Sequence, residues 1–279
     1  MKKFLIAAAA LAAGVFTMSA QDMAVATETF NKAATILNSE DGNKAEALKL
    51  FQEALVQGEA CGDEGTELVA NCKNIIPDLA LSIAKTQLKA GSYDEAIAAL
   101  GNASELAGKY GSEKVASEAA ELLPNAYVAK GQNLIKAKDF AAAKDVLAEA
   151  VALAPTDGNA NFLLGTALVQ TGDTEGAIAA LKVAAENGKE AQAGKVLGST
   201  YLKQGVALLK AGKNAEAVEA FETSNSYAPS AQAYKMLANT YNKLSKKTEA
   251  IEAAKKYLEL DPNAKDAATY KQLIEVLSK

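Results

Sequence analysis

Two thiols and scattered carboxylates are the groups in this chain whose chemistry could reach beyond packing. Cys61 and Cys72 are its two cysteines, and histidine is absent. Without an imidazole no Ser-His or Cys-His nucleophile can be assembled, and the usual neutral-pH proton shuttle is missing. The cysteine spacing is not Cys-x-x-Cys, and no histidine can complete a zinc set. In an oxidising compartment the pair is expected to form a disulfide, stapling the glycine-rich stretch from Gly58 to Gly65 onto the following helix. Such a bridge would contribute about 3 kcal/mol; two free buried thiols are the alternative. Carboxylates placed as Asp94/Glu95 and Glu118/Glu121 read as a solvated helix surface. The glycines from Gly58 to Gly65 and from Gly101 to Gly111 lack the spacing and strand context of a phosphate loop. The reading therefore names no catalytic, cofactor-binding or metal-ligating residue, and expects no enzyme.

The groups that could matter must then be positioned for binding, and composition narrows the partner. The first twenty residues carry a basic start at Lys2 and Lys3 and an apolar run from Phe4 to Thr17. Met18, Ser19 and Ala20 then form a small-residue cleavage site. This is the pattern of a secretory signal peptide over residues 1–20. The apolar run is shorter than the roughly 20 residues a spanning helix needs, and no span is expected after its removal. The remainder, residues 21–279, is expected to be exported, soluble in the periplasm or peripheral to the envelope. Net charge is −5, and more negative once Lys2 and Lys3 are gone. Every basic side chain is lysine, with no arginine fork to grip phosphates or base edges bidentately. Nucleic acid is excluded as a partner on these grounds.

The elements are read from a repeat. A small residue, an apolar residue four places on and another three places later recur six times. The series is Ala47/Phe51/Ala54, Ala96/Leu100/Ala103, Ala143/Leu147/Ala150, Ala177/Leu181/Ala184, Ala217/Phe221/Ser224 and Ala250/Ala254/Tyr257. Steps of four and three return to one face of a helix. A helix pair of this kind cannot bury its apolar face alone and must stack on its copies. Turn signals fall between the helices at Gly42, Gly91, Gly158, Gly172, Gly212 and Pro262. Helical periodicity runs long over residues 66–90, 112–137 and 190–211. Pro77 and Pro124 are expected to kink or restart the first two of these.

The segment NANFLLGTALVQTGDTEGAIAAL at 159–181 resembles a tetratricopeptide repeat, as does the stretch from Ala233 to Pro262. The marks are Leu164/Gly165, Gly172/Asp173, Ala177, and the closing prolines Pro155, Pro229 and Pro262. The resemblance implies an all-α, right-handed α-solenoid of about six helix hairpins. Their expected bounds are residues 27–58, 66–108, 113–155, 158–188, 190–229 and 231–262, with a capping helix over 264–278, all in one array. Successive second-helix alanines are separated by 49, 47, 34, 40 and 33 residues, against the 34 of the family. The surplus precedes three first helices.

In such a stack the first helices line a concave groove. Aligning them gives an apolar row of Leu81, Val128, Phe162, Leu202 and Lys235. A short polar row runs through Asp78, Asn125, Asn159, Ser199 and Gln232, and a third through Lys85, Gln132, Thr166, Val206 and Asn239. Amides can satisfy the backbone of an extended peptide while apolar positions take its side chains. Leu81, Asn125, Val128, Asn159, Phe162, Leu202, Lys235 and Asn239 are the resulting groove candidates, with packing between helices as the competing role for the apolar ones. The family's carboxylate clamp is not reproduced, since Lys235 and Asn239 match two places and arginine is lacking. The expected function is a non-catalytic scaffold of the bacterial cell envelope, holding a peptide or protein segment. A periplasmic small-molecule or glycan receptor is the second class, and weak self-association the third.

Overall fold

A computed structural model describes residues 20–39 and 42–279 of the chain. The export-signal reading falls outside the described residues, apart from Ala20. Among the described residues the fold is all-α, with thirteen α-helices and no strand. It divides into two compact units that part at Leu123/Pro124.

Unit 1 holds α1 (Ala20–Asn38), α2 (Lys44–Ala60), α3 (Thr66–Ala90) and α4 (Tyr93–Tyr110), and the first half of α5 (Glu113–Lys136). Helix α1 packs on α2, α2 on α3, and α3 on α4. The expected stripes supply its core: Ala47, Phe51, Ala54, Ala96, Leu100 and Ala103 are each at most 1% exposed. Phe30 meets Phe51 edge to face, the ring centroids 5.2 Å apart. Asn43 starts α2 by accepting the backbone N–H groups of Ala45 and Glu46, satisfying donors that have no helical partner. Gly91 closes α3 in the left-handed region at φ 76°, where a Cβ would be strained.

The long helices have the extents that the periodicity predicts, but the prolines do not interrupt them. Helices α3 and α5 both run on through Pro77 and Pro124 without a restart. Pro77 forgoes one backbone bond, yet it is buried beside Ile76, and that burial offsets the loss.

The expected disulfide is not formed; both cysteines are free thiols. Cys61 ends α2, and its thiol donates to the Gln57 carbonyl one turn back at 3.2 Å, which lays it along its own helix. Cys72 lies four residues from both Leu68 and Ile76, on the buried stripe of α3, and is 0% exposed. Helical register thus turns Cys72 into the core, while the spacing alone left its direction open. Burial pushes its thiol up to about 11, so little thiolate exists at pH 8. Iodoacetamide at pH 8 is expected to alkylate Cys61 rapidly in the native chain and Cys72 only after denaturation. Mass spectrometry checks this: two rapid labels, or none, in native protein would contradict the arrangement.

Unit 2 continues from Pro124 through α6 (Phe140–Leu153), α7 (Gly158–Thr171), α8 (Thr174–Ala184), α9 (Glu190–Lys210) and α10 (Asn214–Tyr227). It ends with α11 (Ala231–Lys243), α12 (Lys247–Leu260) and α13 (Ala267–Leu277). Helices α7/α8, α9/α10 and α11/α12 form packed hairpins, and α13 packs on α12 as the closing helix. Asp139, Asp157, Asp173 and Ser230 cap α6, α7, α8 and α11 through backbone N–H groups. The stripes again form the core, from Ala143, Leu147 and Ala150 through to Ala254 and Tyr257, none more than 4% exposed.

One close approach recurs in each of three hairpins. A Cβ built on Gly131 would lie 2.5 Å from Leu147, on Gly165 2.6 Å from Leu181, and on Gly205 2.5 Å from Phe221. A glycine of the first helix therefore receives the large side chain of the second, sixteen residues later each time. Where α8 ends, a π-turn (Ala185–Lys189) with left-handed Gly188 leads into α9. Its Asn187 carbonyl rests on Gly158, so close that a Cβ there would be 2.0 Å away.

Candidate interaction surface

The polar row is a surface and the apolar row is largely a seam. In unit 2, Asn159, Ser199 and Gln232 are exposed on α7, α9 and α11. Phe162, three residues after Asn159 on the same face, is half-buried. It packs against Leu181 and Ala184 of α8 and Ala193 and Leu197 of α9. Leu202, its counterpart on α9, is also half-buried and packs into the cluster of Leu237, Ala238 and Tyr241 from α11. The aligned position therefore joins each first helix to the next, with only part of the side chain left to solvent. Thr166, two turns into α7, spends its hydroxyl on the Phe162 carbonyl at 2.8 Å.

The last member of that row shows the same logic with a charged side chain. Lys235 has no further hairpin to pack on, and its ammonium instead pairs with Asp266, just ahead of α13. Asp266 also accepts the Tyr257 hydroxyl, and Tyr270 of α13 donates to Asn239 Oδ1 at 2.9 Å. Tyr257 and Tyr270 meet edge to face at 4.7 Å, and the Lys235 ammonium lies 5.8 Å from the Tyr257 ring. The hydrogen bonds from Lys235 and Tyr257 hold the Asp266 carboxyl below its usual range, while Asp266 holds Lys235 above its own. Of the groove candidates, Lys235 and Asn239 therefore also hold the closing helix, through Asp266 and Tyr270. Their short-range geometry is legible only once α13 is seen to lie against α11.

On the second half of α5, Asn125 is exposed and Val128 half-buried. In unit 1, Leu81 is 3% exposed and belongs to the core, so it is not available to a partner. Asp78 on the same helix is exposed, and Lys85 pairs with Glu118 of α5 at 2.5 Å. Among the described residues no group of three or more Cys, Asp or Glu side chains is placed to hold a metal ion. Nor is any described helix long and apolar enough to cross a membrane.

Hairpins of this kind, locked by glycine-to-large contacts and closed by an extra helix, define a helical repeat protein. The tetratricopeptide repeat family matches residues 134–199 and again residues 202–265. The chain thus carries tetratricopeptide repeats over those two stretches, which cover α6 to α12. Among solved structures it is similar to a MamA protein, at 22% identity and a TM-score of 0.38. That match covers 70% of this chain and 95% of the other. It is also similar to YrrB, described as a TPR protein with an unusual peptide-binding site. There the identity is 20% and the TM-score 0.39, over 70% of this chain and 91% of that one. No curated protein matches the chain.

Proposed function

We propose that this chain is a non-catalytic scaffold of the cell envelope that holds a peptide or protein segment on the first-helix face of unit 2. The observation that carries the reading is the exposed polar row Asn159, Ser199 and Gln232, presented by rigid helices beside the half-exposed edges of Phe162 and Leu202. Side-chain amides and hydroxyls at regular spacing can pair with an extended backbone, and the apolar edges can take alternate side chains. The tetratricopeptide repeats support a binding role over chemistry, and the signal-like residues 1–20 support the envelope as its place.

The structure changes which residues should be tested. Phe162 and Leu202 hold hairpins together, so their substitution would confuse binding with folding. A photocrosslinking side chain at Ser199 probes the face directly, because Ser199 is exposed and its hydroxyl bonds only within its own helix. In intact cells it is expected to give a discrete adduct that falls about tenfold when Asn159→Lys and Gln232→Lys are added. Unchanged adduct yield in that variant, with an unaltered circular dichroism spectrum, would disprove the assignment.

A further inference from the structure

We propose a second binding site in unit 2, a cleft between α10, α11 and α12 that takes a short basic peptide segment. The cleft encloses about 620 Å³, within the ~300–1,000 Å³ common for ligand sites. It lies away from the polar row: Tyr234, Leu237 and Tyr241 line it from α11, whereas Gln232, Lys235 and Asn239 point to the other side. At 3.6 residues per turn the two sets are about 160° apart. The inference therefore goes beyond the function proposed above and does not rest on it.

Its floor is apolar, made by Tyr234, Leu237 and Ala253, and its rim is charged, with Glu222, Glu249 and Glu252 beside Lys255 and Lys256. Several of these charges are already committed. Glu222 accepts the Tyr241 hydroxyl, and Lys256 pairs with Glu259 at 2.8 Å. Glu249, in the first turn of α12, and Glu252, in the second, have no ion-pair partner among the described residues, and they outnumber the one unpaired ammonium of the rim, Lys255. A second observation comes from the buried end. Asn225 is only 8% exposed and lines the cleft. Its Oδ1 receives the Ser230 N–H at 3.0 Å, while its Nδ2 has no acceptor. A buried amide donor left without a partner is costly; it lies just beneath the cleft wall, and a small turn of the Asn225 side chain would bring it to a carbonyl seated there.

These features match one kind of occupant. Aliphatic side chains rest on Tyr234, Leu237 and Ala253, a peptide carbonyl approaches Asn225, and lysine or arginine heads reach Glu249 and Glu252. A long basic side chain suits such a place because its stem is apolar and its head charged.

The test titrates the full chain against a fluorescein-labelled, amidated peptide of alternating leucine and lysine, read by anisotropy. Saturable binding is expected, weakened about tenfold in Glu249→Gln/Glu252→Gln and again on raising salt from ~0.05 to ~0.5 M. The same peptide with glutamate for lysine should not bind. Glu175→Gln, which removes an exposed carboxylate of α8 outside both the cleft and the polar row, should leave binding unchanged. Undiminished binding in Glu249→Gln/Glu252→Gln, or equal binding of the acidic peptide, overturns the proposal. So does full displacement by spermidine at matching concentration, which would reassign the cleft to a small polycation.

Discussion

Replacing Phe221 by alanine is expected to lower the stability of unit 2 by about 3–5 kcal/mol. The ring is 0% exposed and fills the space left by Gly205, whose Cα leaves no room for a Cβ beside it. It sits in one cluster with Ala217, Leu237, Ala238 and Ala250, so its loss opens a cavity shared by two successive hairpins. Small neighbours cannot close such a cavity without moving helix backbones, and the cost falls at the high end for that reason. Phe221→Leu should cost less than about 1.5 kcal/mol, because leucine occupies the corresponding place at Leu147 and Leu181. Urea unfolding followed by circular dichroism measures both. Repeats depend on their nearest neighbours, so hydrogen exchange should quicken in α9 to α12 before it quickens in unit 1. A Phe221→Ala chain as stable as its parent would refute this account of the core.

Gly65→Ala is expected to destabilise unit 1 by about 3 kcal/mol, the upper end of overpacking. Gly65 has φ −84° and ψ −5°, which alanine tolerates, so conformational strain is not the cause. The cause is contact: a Cβ there would lie 1.9 Å from the Gly58 carbonyl oxygen and 2.8 Å from its carbon. Both atoms are backbone, and relief requires α2 and the start of α3 to separate. Gly62 supplies the contrast, with φ 61° and nothing within 4 Å of a built Cβ. Gly62→Ala should therefore cost only the left-handed penalty of about 1 kcal/mol. Thermal unfolding of the two variants separates steric from conformational roles; equal melting points would sink the distinction.

The contrast between those glycines bears on what could be read in advance. Gly58, Gly62 and Gly65 look alike as letters in one short stretch, and the sequence reading could use them only as a loop. The six core stripes and the extents of α3, α5 and α9 were legible, because a 3.6-residue period states which side of a helix is buried. The apolar row was not resolved by the same period. Phe162 and Leu202 are placed identically whether the neighbour is a ligand or the next helix, and Leu81 turned out to have no free surface at all. The cleft side of α11 carries no distinct signal in the sequence, because Tyr234, Leu237 and Tyr241 have the spacing of ordinary interhelical packing. The remaining signal was two acidic residues, Glu249 and Glu252, in a helix that would need no negative face.

What the chain's letters determined alone is the helical hairpin, its length and its oily stripe, since these arise from contacts within about four residues. Tertiary structure alone decided where the stripes' neighbours end. It set Lys235 against Asp266 and Asn239 against Tyr270, buried Cys72 in the core of unit 1, and left Asn225 with an unanswered donor. Those outcomes depend on side chains brought together from separate helices, whose approach no local period encodes.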